Sequence, residues 1–146
     1  MVNRMAHPTP SLNAIAVAKL DDIMAARELV DKIYIDEKII EYILDLVIAT
    51  RPGCRSELSS RQQGARLEEL DGLISFGASP RASIALALAA RGAALLEGRA
   101  YVLPQDVKEI APDVLRHRIV LSYEAEAENI DSDTVIQRLL AELRTP

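Results

Sequence analysis

The chain has no tryptophan, one phenylalanine and four tyrosines among its 146 residues. Any core it builds must therefore be aliphatic. It has a single cysteine, Cys54, so no intramolecular disulfide can form, which fits a reducing compartment. Cys54 stands in a polar stretch and reads as an incidental loop thiol. No apolar run approaches the ~18 residues of a membrane span. After Met1 the chain turns polar and proline-bearing instead of hydrophobic, so no secretory leader is apparent and a cytoplasmic location is the expectation. Positive charge is in deficit, with 17 Lys and Arg against 22 Asp and Glu and a net charge of -5. That excludes a general nucleic-acid binder, which needs a concentrated basic face, but leaves room for one local basic site.

Complete catalytic sets are also missing. There is no GxxxxGK[ST] phosphate loop and no glycine-rich dinucleotide fingerprint. The two histidines, His7 and His117, have no partners at metal-ligand spacing. No Ser-His-Asp or Cys-His arrangement can be argued. His7 reads as solvated and His117, within Arg116-His117-Arg118, as a structural or surface residue. Glu124, Glu126 and Glu128 alternate along the chain, and on a strand they would share one face. They read as a solvated or docking edge and not as a catalytic pair.

What is present is a length sufficient for one domain and a hydrophobic content of 49%, which excludes a disordered chain. Residues 1–18, with His7-Pro8-Thr9-Pro10, read as an extended leading linker, its first residues an appended remnant. A first helix is expected from Lys19 to Lys32, with Ile23, Ala26, Val30 and Ile33 on one face. Tyr34 and Ile35 form an extended link, and Asp36 caps a second helix that runs to about Thr50. Ile39, Ile43 and Val47 make one apolar stripe there, with Ile40, Leu44 and Ile48 beside it. The polar stretch from Pro52 to Gln63 has no periodicity and reads as a mobile loop. A short helical turn over Ala65–Leu70 ends at Gly72.

The organising stretch is Phe76–Gly98, a long alanine- and leucine-rich helix over about 79–97. Ser79 can cap it, Pro80 suits its first turn, and Gly98 suits an αL stop. The run Ala82–Ala90 is apolar all round apart from Ser83, which predicts a central helix packed on every side. Pro104 opens a further helix ended by Ala111-Pro112, with a separate turn over Asp113–His117. Asp131 or Ser132 caps a last helix, about Asp133 to Leu143, with Val135, Ile136, Leu139 and Leu140 buried. The expectation is a mainly α bundle of about five or six helices, with short extended segments near 73–76 and 118–123.

Arg81 breaks the local pattern, because a cation in a helix's first turn opposes the helix dipole. Its permanently charged planar fork matches phosphate oxygens, and helix N-terminal amides also attract anions. An ordinary salt bridge, to Asp71 or Glu69, is the other reading, and the residues alone leave both open. Arg116 and Arg118 are candidate helpers for which a solvated or interface role is the simpler reading.

Three strings then carry a resemblance: Gly77-Ala78-Ser79-Pro80-Arg81-Ala82, Tyr101-Val102-Leu103-Pro104-Gln105-Asp106-Val107 and Leu115-Arg116-His117-Arg118. With Tyr34–Arg51, they make the chain from about Leu20 to Leu143 resemble the C-terminal lid domain of MoxR-type AAA+ ATPases. The resemblance implies a five- to six-helix lid bundle over 19–146 that follows an α/β nucleotide-binding core absent from this chain. It implies that Arg81 is the sensor-2 arginine reaching the γ-phosphate of ATP, with Ser79 and Ala82 beside it at the nucleotide. It implies that ATP and Mg2+ are cofactors of the parent protein, with neither held tightly by this chain, which lacks the phosphate loop and alone should not hydrolyse ATP. The implied partners are the protein's own core, neighbouring ring subunits and proteins with von Willebrand factor A domains, for chaperone-like remodelling. Whether Arg81 serves its own or a neighbouring subunit's ATP stays open. The competing expectation is a free-standing helical interaction module, binding through the 34–51 helix or the acidic 124–128 segment, with no nucleotide role.

Overall fold

The computed structural model describes residues 16–62 and 65–146. His7 and most of the expected leading linker lie outside the described residues; residues 16–18 are exposed and non-helical. Seven helices and one two-stranded sheet are present among the described residues. They are α1 (Leu20–Val30), α2 (Glu37–Ala49), α3 (Glu68–Asp71), β1 (Ile74–Phe76), α4 (Arg81–Leu96), α5 (Pro104–Leu115), β2 (Val120–Leu121), α6 (Tyr123–Ala127) and α7 (Ser132–Glu142). The architecture is the mainly helical bundle expected, with extended pieces where the sequence placed them.

Local chemistry sets most of the boundaries. The Asp36 carboxylate accepts from the Lys38 amide at 2.9 Å and starts α2, and Asp131 does the same for α7 through Thr134 at 2.8 Å. Pro104 stands at the first position of α5, where its missing N–H costs nothing. Gly98 adopts φ +70°, and the Arg99 amide donates back to the Ala94 carbonyl, which closes α4 in a Schellman-type turn. Tyr34 and Tyr101 form a bridge between the linkers that precede α2 and α5. β1 and β2 pair antiparallel, Ile74 opposite Leu121 and Phe76 opposite Val120.

The core is aliphatic. Ile39, Ile43, Leu46 and Val47 of α2, Leu86, Ala90 and Ala94 of α4, Val107, Ala111 and Leu115 of α5, and Val135, Ile136 and Leu139 of α7 are all buried. α4 lies between α1, α2 and α5, and α7 closes the far side against α2 and α5. Small residues on α4 let its neighbours approach closely.

Several expectations are corrected. α4 is central but not covered all round: Ile84 is 62% and Leu88 49% exposed. The second stripe of α2 opens onto the same side, with Ile40 and Leu44 exposed. The two stripes line a groove of about 300 Å³ that also takes in Ser83 and Arg91. α1 forms as expected but buries none of its residues, so its apolar face lies over the surface. Pro112 does not end α5, which continues to Leu115. The proline removes one hydrogen bond, but carrying the helix onward buries Leu115 completely on the same face as Ala111. Glu124, Glu126 and Glu128 are not on a strand: the first two lie in α6, the third follows it, and all are exposed.

The polar stretch after α2 is anchored. It contains 3-10 turns at Arg55–Glu57 and Ser60–Gln62. The buried Asp45 carboxylate accepts from the Ser59 amide at 2.9 Å, the Ser59 hydroxyl at 2.6 Å and the Gln62 side-chain amide at 3.1 Å. Gln62 in turn donates to the Arg144 carbonyl at 3.0 Å and accepts from the Arg144 amide at 2.9 Å. One buried carboxylate therefore organises both this loop and the end of the chain.

Candidate functional site

The site is built on the passage from β1 into α4. Gly77 is required by close approach: a Cβ there would stand 2.4 Å from the Thr50 carbonyl oxygen and 2.7 Å from Arg51 Cγ. Ala78 is fully buried, and both its backbone groups are taken by the end of α2. Its amide donates to Thr50 Oγ1 at 2.9 Å, and its carbonyl accepts from Arg51 Nε at 2.8 Å. The Thr50 hydroxyl donates onward to the Val47 carbonyl at 2.6 Å. The string is thus pinned to α2 before the helix begins.

Arg81 is the first residue of α4 and is exposed. It forms no ion pair with Asp71 or Glu69, and no hydrogen bond or ion pair joins it to another described residue. The salt-bridge reading is therefore not realised. Ser79 is exposed, but its hydroxyl does not cap the helix. Its carbonyl accepts from the Ala82 amide at 2.9 Å instead. The side-chain cap fails because Pro80 is already helical, at φ -56° and ψ -24°, so the turn closes one residue early through main chain. Ser83 supplies no cap either, since its hydroxyl donates to the Pro80 carbonyl at 2.7 Å. Ala82 is fully buried against the core, so its side chain faces away from solvent.

The other arginines are engaged elsewhere. Arg116 bridges Asp113 and Asp133, each at 3.0 Å, and fastens the end of α5 to the start of α7. Arg118 Nε donates to the Val114 carbonyl at 2.9 Å, and His117 is exposed. Neither arginine assists Arg81. Arg99, which the sequence did not single out, donates to the buried Asp106 carboxylate, with Nη1 at 2.8 Å from Oδ2. Asp106 also caps the start of α5 by accepting from the Leu103 amide at 2.7 Å. The Arg99 hydrogen bonds hold the Asp106 carboxyl below the ordinary carboxylate range, against the opposing effect of burial. Among the described residues, no group of His, Cys, Asp and Glu converges as a metal site.

Comparison with known proteins gives this geometry its context. The AAA lid domain family matches residues 68–139, which takes in the string before α4, Arg81 and most of α7. Chaperone MoxR1 of Mycobacterium tuberculosis is 38% identical over 125 residues, covering 86% of this chain and 31% of MoxR1. Protein MoxR of Paracoccus denitrificans is 42% identical over 91 residues, covering 60% of this chain and 25% of that protein. A crystal structure of a proposed ATPase from Cytophaga hutchinsonii superposes with a TM-score of 0.83 at 34% identity, covering 99% of this chain and 41% of the other. The bundle and the glycine-led string into its central helix are those of an AAA+ lid domain. Within that class the chain is a lid of the MoxR type. It spans only part of the length of these curated relatives, 25% of the Paracoccus protein and 31% of the mycobacterial one.

Proposed function

We propose that this lid senses bound ATP through Arg81 in a MoxR-family AAA+ ATPase and couples hydrolysis to chaperone-like remodelling of partner proteins. The observation that supports it is Arg81 itself: an exposed guanidinium with no counter-charge among the described residues, held in the first turn of a helix whose approach is pinned. Such a group fits a phosphate, because it offers charge-assisted donors without first giving up a carboxylate. The nucleotide-binding core supplies ATP's cradle and its Mg2+, for which the described residues of this chain have no ligand set. Arg81 would stabilise charge on the transferring phosphoryl group, and its contact would be lost with the γ-phosphate, freeing the lid to move.

The open groove between α2 and α4 supports a lid that works against other protein surfaces. Exposed Ile40, Leu44, Ile84 and Leu88 are costly to leave in water, and the protein's own core or a neighbouring ring subunit would cover them. Proteins with von Willebrand factor A domains are the partner class we assign to the assembled enzyme. A cytoplasmic location goes with this reading. No helix among the described residues is long and apolar enough to cross a membrane.

The test is Arg81→Ala in the full-length protein. Turnover should fall by about tenfold or more, as for loss of a phosphate-contacting arginine. The lid should keep its fold, because the exposed side chain makes no hydrogen bond or ion pair with another described residue. Unchanged turnover would remove the sensing role and return the chain to a helical interaction module.

A further inference from the structure

The start of α4 lacks a side-chain cap of its own, since Ser79 does not supply one and Pro80 has none to give. What fixes the direction of its first turn must therefore come from elsewhere, and the contacts all lead to the two residues that follow α2. Thr50 takes the Ala78 amide, Arg51 takes the Ala78 carbonyl, and Gly77 rests on the Thr50 carbonyl with no room for a side chain between them. Arg51 is half-buried, and no described carboxylate pairs with it. Its one side-chain hydrogen bond to a described residue goes sideways from Nε to a main-chain oxygen three residues before Arg81.

We infer that Arg51 is a positioning residue for Arg81: by holding the Ala78 carbonyl it sets where the sensing guanidinium points. This rests on the role proposed for Arg81 above. The side chain acts through a directional hydrogen bond and not through its charge. That makes a specific distinction possible, because a glutamine side-chain amide carries an N–H donor at the same number of bonds from Cα as Arg Nε, without the charge.

The experiment measures ATP turnover of the full-length protein carrying Arg51→Ala, Arg51→Gln, Arg81→Ala and the double change Arg51→Ala/Arg81→Ala. ADP affinity and melting temperature are recorded for each. Arg51→Ala should lower turnover by about tenfold, in line with the cost of a displaced contact group, and leave ADP affinity unchanged, since ADP lacks the phosphate that Arg81 addresses. Arg51→Gln should retain turnover within about twofold of the unmodified protein. In the Arg81→Ala background, Arg51→Ala should change turnover by less than about twofold, because residues that act as one unit are not additive.

A full multiplicative loss in the double variant would overturn the inference, as would an Arg51→Gln variant as slow as Arg51→Ala. An equal loss of ADP affinity would overturn it too, by showing general damage to the lid. Should Arg51→Ala fail to fold, the Arg51→Gln comparison alone still decides between hydrogen bond and charge. If Arg81→Ala itself leaves turnover unchanged while Arg51→Ala lowers it, the sensing role fails first, and that result is distinct from every other.

Discussion

Replacing Gly77 with alanine places a methyl carbon 2.4 Å from the Thr50 carbonyl oxygen, where an ordinary contact needs more than 3 Å. The obstacle is main chain of a residue with no exposed surface, and its hydroxyl already holds the Ala78 amide. Either the α2 end or the string before α4 must retreat by most of an ångström, and close-packed interiors resist such shifts. Overpacking of this kind costs about 1–3 kcal/mol, and a backbone obstacle puts it at the upper end. Loss of glycine's freedom in the unfolded chain returns about 0.4–1 kcal/mol, leaving a net cost of about 2 kcal/mol. For a chain of this size that lowers the melting temperature by about 6–8 °C. Gly92 is the internal control. It lies within α4, and a methyl carbon added there would meet nothing inside 4 Å, so Gly92→Ala should stabilise by about 0.5–1 kcal/mol and raise the melting temperature by a few degrees. Thermal melts followed by circular dichroism measure both. A Gly77→Ala protein that melts within about a degree of the parent would refute the close approach and, with it, the pinning of α4.

Two further outcomes follow from buried polar groups. The Asp106 carboxyl has its pKa held below the reference value of 3.8, chiefly by the Arg99 hydrogen bonds, so its contribution to stability is full above that value and is lost as pH falls through the lower folded pKa. Asp106→Asn should therefore melt well below the parent at pH 7, and the gap should narrow as the pH is brought down through 3.8; a gap independent of pH would refute the ion pair's role. The Tyr42 hydroxyl is buried with no hydrogen-bond partner among the described residues, and burial pushes its pKa up to about 12. Tyr42→Phe removes an unsatisfied group and should leave stability equal or raise it by up to about 1 kcal/mol; a clear loss in urea unfolding would reveal a partner for the hydroxyl.

The features legible in the sequence are those decided within a few residues. Asp36, Asp131, Pro104 and Gly98 each act on the backbone beside them, so their roles as caps and stops can be read without a structure. The two extended segments are also readable, because the residues near 73–76 and 118–123 are β-prone, although their pairing is not. What composition could not show was which faces meet. The apolar circumference of α4 predicted burial all round, yet Ile84 and Leu88 stay about half exposed or more, because α1 and α2 line hollows beside them without covering them. Pro112 looked like a helix end because its local cost is visible in sequence, whereas the burial of Leu115 that outweighs it is not. At the site, Arg81 stood out by its charge in a helix's first turn. Thr50 and Arg51 did not, because their contacts with Ala78 span 28 and 27 positions and neither has an unusual local pattern. Arg99 and Asp106 lie only seven apart and could have been paired from their opposite charges around Pro104.

The double hydrogen bond between Gln62 and Arg144 turns the stretch that follows α7 into a handle on a distant loop. A spin label or fluorophore attached at Pro146 would sit two residues from a main-chain bond to Gln62. When the 55–62 segment is seated on Asp45, that probe should be held nearly as rigidly as α7; when the segment lifts, the tail is released with it and the signal loosens. Seating of this loop could then be followed in the intact protein through a label that leaves α2, α4 and Arg81 untouched.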